Sequence, residues 1–297
     1  MGFKSGFVGV LGQANVGKSS FINALFGKKL LIVSEKRQST RNRIKCVLTL
    51  PGAQIIFVDT PGLHQPVDKL SKYLVKQAYA ALSGLDVLVY MTEPWGKVHE
   101  YDEKVFDHIR NFPNPIVLLI NKIDLASKEQ LEETKTAYQQ TGLFREIVPI
   151  SCTHGANLGV AANTIAELLP EGPKYFADEI QTDRSPEFVI AEFIREKIYQ
   201  LTHKEIPYST GVEVVHIQER EGGKLVDVVA NIYVARESQK PIIIGNGGRM
   251  IKEIGRLARH EIETFLGKHV YLDLHVKVRP GWNEDEAEIA KLLGREG

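Results

Sequence analysis

GQANVGKS, at residues 12–19, decides how this chain is read. It follows an apolar run at 7–11 and opens a helical pattern at Ser20, Ile22, Ala24 and Leu25. The spacing GxxxxGK[ST] between a strand and a helix is a phosphate cradle. Gly12 and Gly17 let backbone N–H groups turn inward onto a triphosphate, with Gln13, Ala14, Asn15 and Val16 as the loop between them. Lys18 can reach the β/γ oxygens and Ser19 offers a hydroxyl to Mg²⁺, while the helix behind points its positive end at the anion. A plain Gly-rich turn would not need that strand before it and that helix after it.

Working outward, residues 28–45 carry seven basic side chains against one acid, Glu35. Such a run reads either as a solvated loop or as an order/disorder switch. In the second reading Gln38, Ser39, Thr40, Arg41 and Asn42 form the switch, and Thr40 swings onto Mg²⁺ and the γ-phosphate, with Ser39 as the alternative ligand. Residues 46–50 and 54–58 read as strands joined at Pro51-Gly52, the second running into DTPG at 59–62. Asp59 would hold Mg²⁺, Thr60 and Pro61 carry the turn, and the Gly62 N–H can meet the γ-phosphate. Leu63 follows, and it cannot orient a water as a Gln would. His64 has no evident orienting partner for a role as base.

A helical face over 69–82, a strand at 86–91, a helix at 101–109 and a strand at 116–120 lead to NKID at 121–124. The Asp124 carboxylate can accept from the ring N–H and exocyclic amine of guanine, a donor pair adenine lacks. Asn121 is expected to add a base-edge contact and the stem of Lys122 to cover the purine. A strand at 147–150 ends in Ser151 and Cys152, whose backbone could close over the base, and a helix follows at 158–169. Motifs at the carboxyl ends of alternating strands describe an α/β domain, mostly parallel, with helices on both faces.

LPEGPKYFADEIQTDRSP at 169–186 has three prolines and no period, and reads as a linker. Beyond it come a helix at 187–201, a hairpin of strands at 212–220 and 224–235, and a strand at 269–278. Between hairpin and last strand lies IIIGNGGRMIKEIG. Gly245, Asn246, Gly247 and Gly248 form a GxxG loop, and the following helix carries Arg249, Lys252, Arg256 and Arg259 against Glu253. Glycines admit close approach of a nucleic-acid backbone, and the helix N-terminus favours the anion. A Gly-capped helical turn would explain GxxG alone, but the αββααβ order points to a smaller α+β type II KH domain, with Gly245–Gly248, Arg249, Lys252 and Arg256 as RNA contacts. The expected domains are 1–172, a linker at 173–186, 187–281, and a C-terminal helix or tail at 282–297.

The chain has 297 residues, enough for about two cores, and 37 basic residues balance 37 acidic ones. No global charge draws it to nucleic acid, so a local patch must do so. Two distant cysteines suit a reducing compartment, and nine histidines form no metal-binding motif. No apolar run approaches the ~20 residues of a membrane span, and the first strand starts too near Met1 for a leader, so a cytoplasmic protein is expected.

GQANVGKS, QSTRN, DTPGL, NKID, SCT and IIGNGG together resemble the Era family of bacterial GTPases over almost the whole chain. Ala14 and Cys152 stand where that family often has Pro and Ala. The resemblance implies a Mg²⁺-dependent GTPase that binds GTP and GDP and hydrolyses slowly. It implies an assembly factor for the small ribosomal subunit, whose KH domain holds the 3′ end of the small-subunit ribosomal RNA. It also implies peripheral association with the inner membrane face, and a monomer is expected. Asn15 is expected to help hold K⁺, as in relatives with this Asn.

Overall fold

The computed structural model describes residues 2–33, 44–59, 82–207, 209–220 and 222–282, with Asp59 described by its backbone alone. They form two compact units, 2–31 with 44–59 and 82–183, and 184–282 with Ile32 and Val33. The expected switch at 38–42, Thr60, Pro61, Gly62, Leu63, His64 and the tail at 283–297 lie outside the described residues, as does the helical face at 69–82 but for Leu82.

In the first unit β1 (Lys4–Gly12), β2 (Ile44–Leu50), β3 (Ala53–Asp59), β4 (Val87–Thr92), β5 (Ile116–Ile120) and β6 (Glu146–Pro149) make one sheet in the order β2-β3-β1-β4-β5-β6. Only the β2–β3 pair, joined at Pro51-Gly52, is antiparallel. The helices α1 (Lys18–Phe26), α2 (Glu100–Ile109), α3 (Lys128–Gln139) and α4 (Leu158–Leu168) supply the crossovers among the described residues. Strands β4 and β5 are buried at every position, as expected for parallel strands covered on both faces. Helix α3 has no counterpart in the sequence reading, because only Thr134 and Tyr138 are buried and the apolar period is faint.

The stretch read as a linker is strapped along this unit. Ser5 N–H donates to the Pro170 carbonyl and Gly172 N–H to that of Phe3, while Val47 N–H donates to Gln181 and Asp183 N–H to Lys45. Gln54, fully buried, accepts at Oε1 from the Tyr175 and Phe176 N–H groups (2.9 and 3.0 Å) and donates to the Phe176 carbonyl (2.9 Å). A segment with no helix or extended strand, only single bridges at Glu171 and Thr182, stays in place here because its backbone groups are satisfied by the sheet border and one side chain.

The second unit runs α5 (Pro186–Leu201), β7 (Thr210–Glu219), β8 (Leu225–Val234), α6 (Lys240–Ile244), α7 (Arg249–Leu266) and β9 (His269–Val278), the expected αββααβ order. Its sheet is β7-β8-β9, with β7–β8 antiparallel and bulged between Val214 and His216, and β8–β9 parallel. Ile194, Ile198, Val228, Ile232, Ile254 and Ile262 centre the core, which also takes in Ile32. Helix α5 starts at Ser185, whose Oγ accepts from Phe188 N–H, followed by Pro186 at its first turn. It also buries charge. Arg195 pairs with Glu192 at 2.6 Å, and Lys197 with Glu196 at 3.2 Å and with Glu261 of α7 at 2.5 Å.

Candidate guanine-nucleotide site and RNA-binding loop

The end of β1 opens directly into the phosphate loop. Gly12 (φ +147°) and Gly17 (φ +104°) take conformations that side chains rarely adopt, and Asn15 stands at φ +67°. Space forbids a side chain as well. A Cβ on Gly12 would lie 2.3 Å from the Met91 carbonyl oxygen and one on Gly17 2.3 Å from Asn121 Nδ2. Gly17 is the N-cap of α1, so no cap side chain covers the first helical amides. The Lys18 ammonium is folded back on the loop, donating to the carbonyls of Gly12 (3.0 Å) and Gln13 (2.6 Å).

Two residues missed in the sequence hold the loop from below. Gln13 Nε2 donates to Asp102 Oδ1 at 3.1 Å and lies 2.9 Å from His99 Nδ1, both at the start of α2. Asp102 was legible in principle: with Val105, Phe106 and Ile109 it occupies the buried face of α2, where an acid needs a partner.

At the base end, the backbone of Lys122 adopts φ +64° and turns the chain from β5 toward Asp124. Ser151 Oγ donates to Asp124 Oδ1 at 2.5 Å, and His154 Nδ1 lies 3.5 Å from Oδ2. The Ser151 hydrogen bond holds the Asp124 carboxyl below its ordinary range, assisted by the nearby His154. An ionised acceptor is what guanine's donors require. Lys122 Nζ is drawn to Glu93 Oε1 at 2.6 Å, a partner that sequence spacing did not indicate. Asn121, expected at the base edge, also has a role within the protein. Its Nδ2 donates to the Val16 carbonyl (2.8 Å) and its Oδ1 accepts from Cys152 N–H (3.1 Å), so the buried amide ties the phosphate loop to the base loop. Burial pushes the Cys152 thiol up to about 12, making it a protonated packing group at neutral pH.

For Mg²⁺, Ser19 stands in the first turn of α1 and Asp59 closes β3 opposite Val10 of β1, next to the loop. A hydroxyl and a carboxylate are the oxygen donors a hard cation takes, so the residues fit the ion.

In the second unit, α6 and α7 are joined by Gly245–Gly248. Gly245 has Met250 Cβ 2.6 Å from where its own Cβ would stand, whereas Gly247 (φ +60°) and Gly248 (φ +78°) face open space. Arg249, Lys252, Arg256 and Arg259 recur at helical spacing on the exposed side of α7, opposite buried Ile254, Ala258 and Ile262. Glu253 takes one of them in a bidentate pair, Arg256 Nη2 and Nε at 2.7 and 2.9 Å. Beside this row runs an open groove of about 350 Å³ between α7 and β9, floored by Gly255, Leu272 and Leu274. Two glycine loops, each at the start of a helix, thus occur in one chain, and the first shares its unit with the Asp124 carboxylate.

The sequence model of the 50S ribosome-binding GTPase family matches residues 7–122, and that of the KH domain matches 197–283. GTPase Era of Geobacter metallireducens is 45% identical over 290 residues, covering 98% of this chain and 97% of its own. The chain belongs to the Era GTPase family. Era of Alkaliphilus oremlandii is 43% identical, covering 98% of this chain and 99% of its own. A crystal structure of Era with MgGDPNP and nucleotides 1506–1542 of 16S ribosomal RNA superposes with a TM-score of 0.89 at 37% identity, covering 98% of this chain and 99% of that one. A point variant of Aquifex aeolicus Era bound to GDP·AlF4⁻ gives 0.89 at 38% identity, with the same coverage. This Era-family chain is a GTPase with a P-loop domain and a C-terminal KH domain.

Proposed function

We propose that this chain is a slow GTP-driven switch whose KH domain binds the 3′ end of small-subunit ribosomal RNA during small-subunit assembly. One observation carries the reading: a carboxylate held low and suited to guanine's donors, Asp124, and a GxxG loop backed by a basic helical face occur in one chain. The first family description names the 50S particle, but its match ends at residue 122, short of the KH domain. The relative crystallised with 16S RNA is covered from end to end, so its RNA is the better guide.

Gly12–Ser19 would take the phosphates, with Lys18 exchanging its carbonyl partners for β/γ oxygens. Asp124, Ser151 and Lys122 would take the base. Ser19, Asp59 and Thr40 would hold Mg²⁺, which neutralises charge developing between the β- and γ-phosphates. With Leu63 in place of a Gln, and no arginine finger assigned, hydrolysis should lack a contribution of roughly 10³- to 10⁵-fold. Asn15, exposed at the loop's crest, would help hold a K⁺ that restores part of that charge. If so, K⁺ raises GTP turnover over Na⁺ and Asn15→Ala removes the difference; equal rates in both salts would discard the ion.

No described helix is long and apolar enough to cross a membrane. We place the protein in the cytoplasm as a monomer, and its peripheral contact with the inner membrane face rests on the resemblance alone. The deciding experiment titrates an oligonucleotide matching the 3′ tail against the GTP-analogue, GDP and nucleotide-free forms. Tighter binding in one nucleotide form is expected, and three equal affinities would reduce the chain to two independent binding modules.

A further inference from the structure

The carboxylate of Asp102 is fully buried and accepts four hydrogen bonds. Oδ1 receives Tyr90 OH (2.7 Å) and Gln13 Nε2 (3.1 Å), while Oδ2 receives Thr92 Oγ1 (2.9 Å) and Tyr138 OH. A carboxylate offers about four lone-pair directions, so this one is saturated and its charge is solvated by the protein alone. Burial, reinforced by that charge, holds the Tyr90 and Tyr138 hydroxyls far above the ordinary phenol range, so both remain donors.

Three donors belong to the core, and the fourth comes from the phosphate loop. The other amide hydrogen of Gln13 faces His99 Nδ1, which also receives Tyr101 N–H at 3.1 Å and is therefore an acceptor. Both hydrogens of the Gln13 amide are thus committed to α2. The main-chain carbonyl of the same residue accepts from Lys18 Nζ. Gln13 is gripped at its side chain by a buried anion and at its backbone by the lysine that would meet the phosphates.

We propose that Asp102 is a positioning residue for nucleotide binding, acting through Gln13 to set where the Lys18 ammonium stands. The proposal rests on the phosphate-loop reading of residues 12–19. The segment after Gly12 would otherwise be free to swing about that glycine, and each nucleotide would have to order it on binding. With the link intact, the loop is ordered beforehand.

The test follows GDP dissociation and affinity in the full chain, with melting temperature alongside. Gln13→Leu and Asp102→Asn should each weaken GDP binding by roughly tenfold, since each breaks the hydrogen bond that ties the loop to a buried carboxylate. The double variant should be no worse than the weaker single, because both cut one link. Gln13→Glu should bind less well than Gln13→Leu, as it sets a second carboxylate beside the first. Adding Asp102→Asn to Gln13→Glu should bring affinity back, because an amide then donates to a carboxylate with the roles exchanged.

A purely structural Asp102 would lower the melting temperature and leave nucleotide affinity unchanged, and that result overturns the proposal, as would multiplying effects in the double variant. Should Asp102→Asn fail to fold, the order native, Gln13→Leu, Gln13→Glu decides alone, and equal affinities among the three reject the link. Failure of the underlying reading looks different: the native chain itself would then bind neither GDP nor GTP.

Discussion

The two glycine loops of this chain use the same residue for different reasons. In the nucleotide domain, glycine is demanded from inside: a Cβ on Gly12 or Gly17 would collide with the Met91 carbonyl or the Asn121 amide. In the KH domain, Gly247 and Gly248 have nothing within 4 Å of a Cβ, so within the protein they are demanded by backbone conformation alone. The first loop is therefore preassembled by its own protein, with Lys18, Gln13 and Asn121 each bonded within it. The second is an open saddle with basic side chains behind it, a shape and charge that suit the proposed RNA contact.

That contrast can be broken or sharpened. The largest effect is expected from Gly17→Ala, which displaces the Asn121 amide at a positive φ and should lower GDP affinity by about a hundredfold or more, read by nucleotide titration, with RNA binding retained. Gly247→Asp comes next. Having room, it should leave melting temperature and GDP affinity near native, yet weaken RNA binding by roughly tenfold or more by setting a carboxylate where the proposed contact would place a phosphate. Loss of both ligands together would mean that the KH loop is no more open than the other.

A smaller effect concerns pH. Asp124 is held below its ordinary range, so its acceptor function is present above that range and is lost only as pH falls through the lowered value. Ser151→Ala removes the first cause, and the acid loss of GDP affinity should move to higher pH; an unmoved profile would deny the hydroxyl its role. The smallest change is Gly255→Ala. Its Cβ would meet Leu274 Cδ1 at an ordinary 3.5 Å, and the α7 helix should gain up to about 1 kcal/mol in chemical denaturation. A loss of stability there would show that the groove floor tolerates no methyl.

What was legible follows from how local each signal is. The phosphate loop, NKID and GxxG are contiguous, and their function lies in backbone geometry that their own glycines and neighbours dictate. Asp102 and Glu93 act on residues far away in sequence, and an acid in α2 reads as solvated until its place on the buried face is weighed. Glu192, Arg195, Glu196 and Lys197 hid for a related reason: charges on a helix ordinarily mark its wet side, and here they pair within the core. Asn121 reads from its motif alone as a contact to the base, and only the fold adds its bonds to Val16 and Cys152, which join two loops distant in sequence.

Strand β2 is the outermost of its sheet, and residues 181–183 close its free side. Cutting the chain after residue 172 would bare a row of amide donors and carbonyls along Lys45 and Val47, and would strand the enclosed amide of Gln54. Uncovered strand borders seek others like themselves. Such a fragment should clump, whereas one ending after Asp183 would carry its own selvedge and stay dispersed.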